Sequence, residues 1–137
     1  MVIDHLGIVV KSIDAGVHHW INLFGYTQYT EIVENSRQKV KVVFLKKDHS
    51  LTIKLVEPVG VSSPIFEFAQ RGGGLHHICF KCDKLEETIA SLKDKGAMSL
   101  VPPQPGEAFE NENIAFLLTN QHLNIELIDT DKKARMI

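Results

Sequence analysis

VVFLKKDHSLTIKLVE at 42–57 and IAFLLTNQHLNIELID at 114–129 align without a gap, 72 positions apart. Phe44 meets Phe116, Leu45 meets Leu117, Ile53 meets Ile125 and Leu55 meets Leu127. Each copy reads as two apolar, β-prone runs joined by a polar turn, KKDHS in one and TNQH in the other, which is a hairpin pattern. The offset also reaches back to the start of the chain, where His5 opens HLGIVV as His77 opens HICFKC. A duplicated unit folds into two pseudo-symmetric modules, and equivalent strand positions then meet at their junction. Two histidines and the carboxylate of Glu126 at such a junction form a plausible metal site. In this register Lys54 is the counterpart of Glu126, and that lysine is the anomaly.

Each half reads as strand, helix and three strands. Ile3–Val9 is alternating and β-branched. Ser12 caps a helix carrying Ile13, Val17, Trp20, Ile21 and Phe24, and Gly25 stops it. Strands follow near Tyr29–Val33, Lys39–Leu45 and Leu51–Glu57. In the second half His76–Cys82 is a strand, and Asp83 with Glu86 has the capping-box spacing. The next helix places Leu85, Ile89 and Leu92 on one face and stops at Gly96. Strands are expected near Met98–Val101, Asn113–Leu118 and Leu123–Asp129. Pro102, Pro103 and Pro105 predict a loop after the first of these. Ser63 and Pro64 start a short linker helix that ends at Gly72–Gly74. The expected layout is one domain: module one at 1–58, a linker helix at 59–74, module two at 75–130 and a tail at 131–137.

A chain of 137 residues is long enough to bury a real core. Its formal net charge of −2, without a Lys/Arg cluster, gives nucleic acid nothing to bind. No apolar run approaches the ~20 residues of a membrane span. MVIDHLGIVVKS has neither the basic start nor the apolar stretch of a signal peptide, so a cytoplasmic location is expected. Cys79 and Cys82 do not make a disulfide framework. Residues three apart on a strand face opposite ways, so both read as small apolar fillers rather than as a chelating pair.

SPIFEFAQRGGGLHHICF, with the opening IDHLGIVV and the late NIELID, resembles the vicinal oxygen chelate superfamily. Its nearest branches are the methylmalonyl-CoA epimerases and the small glyoxalase-I-like proteins. The resemblance covers nearly the whole chain and keeps the motif order. It implies an α+β fold in which two tandem βαβββ modules form a cupped mixed sheet around a divalent metal. Carried over motif by motif, the metal ligands fall on His5, His77 and Glu126, and a fourth position, Glu or Gln in relatives, falls on Lys54. It further implies a small-molecule substrate, a homodimer, and proton transfer next to a carbonyl, with Glu126 as the matched base. Two departures stand out. The turn before the last acid lacks the family's Lys, and a second carboxylate base of some epimerases would fall near Val42.

Imidazole and carboxylate ligands suit Zn, Mn, Co, Ni or Fe, with open positions left for substrate oxygens. A protonated lysine binds no metal. Lys54 therefore has three open readings: an ion pair with Glu126, a side chain turned to solvent beside a three-ligand metal, or a ligand-binding ammonium that takes a carboxylate or enolate oxygen in the metal's place. A metal-free small-molecule binding protein and an extradiol-dioxygenase-like iron enzyme are the competing functions. Among the remaining residues, His76 is expected to face away from the cleft. At least one of His18 and His19 is expected at the surface, with His49 and His122 as equivalent turn residues. Gln38 and Glu34 are near the cleft mouth, and the loop 106–113 is placed as a flap carrying Phe109 to the ligand.

Overall fold

A computed structural model describes residues 1–137. The first half runs β1 (Val2–Val9), α1 (Ile13–Phe24), β2 (Thr27–Gln28), β3 (Val33–Asn35), β4 (Val40–Lys46) and β5 (Thr52–Pro58). After α2 (Phe66–Gln70), the second half runs β6 (Gly74–Lys81), α3 (Leu85–Asp94), β7 (Met98–Gly106), a 3-10 turn at Glu107–Phe109, β8 (Glu112–Leu118) and β9 (Asn124–Ile128). All strands join one mixed sheet in the order β2-β4-β5-β1-β6-β9-β8-β7, with β3 paired to β4. β1 and β6 lie antiparallel at its centre and join the halves. No helix is long and apolar enough to cross a membrane.

The repeat survives in the hydrogen-bond register. β1 and β5 pair in parallel with Gly7 opposite Lys54, and β6 and β9 pair in parallel with Cys79 opposite Glu126. The hairpins match as well, with Phe44 opposite Lys54 in one and Phe116 opposite Glu126 in the other. Two helix-covered cores follow the same offset. Ile13, Val43, Leu45, Ile53 and Leu55 pack with Val17 and Trp20 on one side. Leu85, Ala115, Leu117, Ile125 and Leu127 pack with Ile89 and Leu92 on the other. Burying each large side chain of this kind stabilises the fold by roughly 1.5–3 kcal/mol. Because side chains alternate along a strand, the neighbouring set turns to the concave face. That set holds Val42, Phe44, Val56, Ile114 and Ile128, with Lys54 and Glu126 in the same phase. Cys79 belongs to this inner cluster and Cys82 to an outer one, the opposite-face placement of two filler residues.

The helix starts repeat too. Ser12 caps α1, its hydroxyl accepting from the Ala15 amide at 3.3 Å, and a left-handed Gly25 closes it. The Ile13 amide donates to Glu57, and the Leu85 amide donates to Asp129, the residue 72 positions later. The capping box expected of Asp83 and Glu86 does not form, because the carboxylate of Asp129 arrives from β9 to take the first amide of α3.

Four further expectations change. Tyr29–Val33 is not one strand: the chain breaks into β2 and β3, and Thr30 instead bonds the Phe44 amide through its hydroxyl at 3.1 Å. The linker helix starts later than Ser63, at Phe66, whose amide donates to the Ser63 carbonyl at 3.1 Å. The proline segment is strand, not loop. β7 is an outermost strand whose register slips twice between Ser99 and Gln104, so Pro102 and Pro103 sit where no ladder amide is needed. His49 and His122 are both exposed turn residues with φ of 62°, but they fall one position out of the 72-residue register.

Candidate active site

His5, His77, Glu126 and Lys54 converge as the repeat requires. The ligand atoms of His5, His77 and Glu126 all lie within 4.8 Å of one another. His5 Nε2 is 3.0 Å and His77 Nε2 3.2 Å from the same oxygen, Glu126 Oε1. Lys54 Nζ donates to both Glu126 oxygens at 3.4 Å. Its side chain is 2% exposed, which removes the solvent-facing reading. Each histidine is braced by the ring that the repeat predicts: His5 by Phe44 and His77 by Phe116, edge to face at 5.2 and 5.3 Å. Gly7 leaves room for this, since a Cβ there would stand 2.1 Å from the His77 ring.

Behind His5, Asp4 accepts from Nδ1 at 2.7 Å and is itself held by Lys133 of the tail at 3.3 Å. Phe109 lies fully buried beneath the site, stacked on His5, with the ammoniums of Lys54 and Lys133 near its ring. It is a floor residue and not the tip of a flap. Burial alone would raise the pKa of Glu126. The charge of Lys54 and the bonds from His5 and His77 outweigh that and hold the carboxyl well below its usual range. At His77 burial wins over Glu126 and lowers the ring to about 4, so it is neutral at neutral pH. Burial also pushes the Cys79 thiol well up, and beside His5 it stays protonated.

A cavity of about 240 Å³ opens onto this cluster. Its walls are mostly apolar, from Val40, Val56, Ile65, Leu100, Val101 and Phe116. The polar groups reaching it are Lys54, His76, His77, Asn124 and Gln38; Glu126, His5 and Glu34 do not line it. His76 does not face away. Ile8 pairs with Leu75 and Gly7 with His77, so His76 is the extra residue of a bulge. A bulge breaks the alternation that the expectation rested on and lets adjacent side chains share a face. His76 Nδ1 lies 2.8 Å from His77 Nδ1, and the Asn124 amide reaches His76 Nε2 at 3.4 Å. One tautomer set satisfies the row: Asn124 donates to His76, His76 donates to His77, and His77 Nε2 carries hydrogen towards Glu126. Angles at that last contact are poor, leaving His77 Nε2 buried without an aligned partner. His18 and His19 are both exposed on α1, where His18 bonds Asn22.

A sequence profile of the Glyoxalase/Bleomycin resistance protein/Dioxygenase superfamily matches residues 4–116. The chain belongs to this superfamily. Within it the chain is 35% identical over 117 residues to the uncharacterized protein YqjC of Bacillus subtilis, covering 84% of this chain and 81% of that protein. It is 32% identical over 100 residues to the human mitochondrial methylmalonyl-CoA epimerase, 72% of this chain but only 56% of the human protein. Among solved structures, a hypothetical protein from Bacillus halodurans superposes with a TM-score of 0.83 at 29% identity, over 97% of this chain and 96% of that one. The methylmalonyl-CoA epimerase of Streptomyces coelicolor, in complex with 2-nitronate-propionyl-CoA, does so with a TM-score of 0.83 at 26% identity, over 96% and 98%. The superfamily's mixed, open sheet with few helices is the fold described above.

His5, His77 and Glu126 are a suitable donor set for a divalent ion, and the Asp4 bond orients His5 as outer carboxylates orient metal-binding imidazoles. The fourth position does not fit. A unit charge and a double charge of the same sign at roughly 4 Å repel by about 8 kcal/mol at an effective dielectric of ~20. Lys54, bonded to both oxygens of Glu126, stands where that repulsion acts.

Proposed function

We propose that the protein is an epimerase-type enzyme that moves a proton on and off the carbon beside the carbonyl of a small-molecule substrate, a short acyl thioester. One observation carries this reading. A single cavity presents a buried cation, Lys54, beside two imidazoles, His76 and His77, that burial keeps unprotonated and so open to accept a proton. Carbon-acid chemistry needs a base at the C–H and a positive group at the oxygen that gains charge. The relatives named as methylmalonyl-CoA and ethylmalonyl-CoA epimerases supply the substrate class. A cavity of about 240 Å³ suits an acyl group and leaves the remainder of a thioester outside.

In this mechanism the substrate C–H bond breaks, and the proton goes to the His76–His77 pair. The bonding electrons move into the carbonyl to give an enolate, and return of the proton to the other face completes the inversion. Glu126 lies behind this surface and does not line the cavity, whereas His76 and His77 do. Its work is to position: one oxygen bonds His5 and lies 3.2 Å from His77 Nε2, and the pair of oxygens holds Lys54.

Proton exchange tests the proposal. Methylmalonyl-CoA incubated with the protein in deuterated water gains one deuteron at the α-carbon, read by NMR or mass spectrometry. His76→Gln and His77→Gln each slow that exchange by roughly a hundredfold or more. Calorimetric binding of the thioester without exchange, whether or not a divalent ion is added, makes the protein a binding protein instead.

A further inference from the structure

We infer that the ammonium of Lys54 takes the place of the divalent cation, so that the site works as a metal-independent oxyanion site with Lys54 as its electrophilic catalytic residue. The inference rests on the epimerase-type reading and names the group that faces the substrate oxygen.

Position is the first argument. Lys54 occupies the position related by the repeat to Glu126, with the same strand partners and the same facing phenylalanine, so its Nζ is delivered to the centre by the backbone and not by a chance rotamer. Charge is the second. The cluster's carboxylate is already matched by this cation at 3.4 Å on both oxygens, while the Phe109 ring, 5.4 Å away, adds a negative face. The third is hydrogen-bond accounting. An ammonium has three N–H donors, and its only side-chain or backbone acceptors are the two oxygens of Glu126. Lys54 also lines the cavity, so a further donor is available to an oxygen placed there. A substrate carbonyl accepts that N–H. When the α-proton leaves to the imidazole pair and the electron pair moves onto oxygen, the same N–H faces the enolate. The return step restores the carbonyl, and no redox partner is involved.

Lys54 is also the reason that the donor set of His5, His77 and Glu126 takes no dication. Replacing it with a carboxylate creates the missing fourth ligand and removes the like charge.

Cobalt(II) titration of the chelator-treated protein, read by calorimetry and visible absorption, tests this without reference to activity. Wild type is expected to show no site binding at micromolar cobalt. Lys54→Glu is expected to bind one equivalent roughly a hundredfold or more tighter. Lys54→Gln, which removes charge without adding a second buried carboxylate, is expected to gain binding through His5, His77 and Glu126 and serves if Lys54→Glu does not fold. Stoichiometric cobalt on wild type at micromolar concentration overturns the inference, as does unchanged affinity in both variants. A parallel arm follows α-proton exchange. Wild type keeps its rate in chelator, while Lys54→Ala loses it and regains part of it with added ethylammonium. Exchange that stops on chelation and returns with metal overturns the inference and leaves the epimerase reading intact. Exchange absent under every condition removes the epimerase reading, and the cobalt titration still decides whether Lys54 fills the cation's place.

Discussion

His77 shows how one residue can carry both a site and a stability cost. Its ring is packed where a side chain at position 7 would stand, braced by Phe116 and shut away from water, so its protonated form is disfavoured. In the unfolded chain the same histidine binds a proton near pH 6.5, whereas in the folded protein it does so only near about 4. Between those values the unfolded state holds the extra proton, so stability falls as pH is lowered through that window and is fully present above it. The loss amounts to roughly 3 kcal/mol by pH 4. Glu126, held well below its usual range, adds a further loss in stronger acid. Urea unfolding at stepped pH checks this: wild type weakens steadily from pH 6.5 to 4, and His77→Gln loses much of that slope. A wild-type free energy that is flat over the window contradicts the burial assigned to the ring.

At the scale of elements, the two hairpins bear the same apolar pattern but turn differently. β4–β5 turns left-handed at His49 and β8–β9 at His122, one register position apart. A non-glycine residue in that region costs roughly 1–2 kcal/mol, and both side chains are exposed and free to be lost. His49→Gly and His122→Gly should each raise Tm by about 3 °C, as seen in thermal melts monitored by circular dichroism. A lowered Tm would show that the imidazole is needed in the turn. The strand register and the convergence of His5, Lys54, His77 and Glu126 were legible because the 72-residue repeat is written in the apolar residues that set pairing. What escaped was local. Alternation fails at a bulge, so a strict two-residue period points His76 away from the cleft that it in fact lines. Proline rules are relaxed on an edge strand, so β7 ran past its expected end. The acid that caps α3 comes from β9, a distance no capping box records. The run of glycines at 72–74 was the available hint of irregular pairing, with Gly73 pressed so close to the Val9 carbonyl that a Cβ would meet its oxygen at 2.3 Å.

For the whole molecule, closure depends on both the centre and the tail. Residues after β9 cross to the other half. Lys133 reaches Asp4 and the Ile137 amide donates to the Tyr29 carbonyl, both in the first half, while the Ala134 amide donates to the Ala108 carbonyl of the second half. The halves themselves are joined by β1 against β6, a backbone ladder, with only residues 59–73 linking β5 to β6 in sequence. A ladder of that kind is indifferent to whether its two strands belong to one polypeptide. If the linker straightens, β1 of one copy pairs with β6 of another and every hydrogen bond of the centre is recovered, which is a domain swap. Within one chain the tether gives the halves an effective concentration in the millimolar range, so swapping should appear on refolding near that concentration. Such a dimer would have composite sites, with Lys54 from one copy facing Glu126 of the other. Co-refolding Lys54→Gln with Glu126→Gln, each impaired alone, would then reconstitute one wild-type centre per dimer. Size-exclusion chromatography with proton exchange on the dimer peak reads the result, and a dimer without recovered exchange would mean that the two copies associate by some other face.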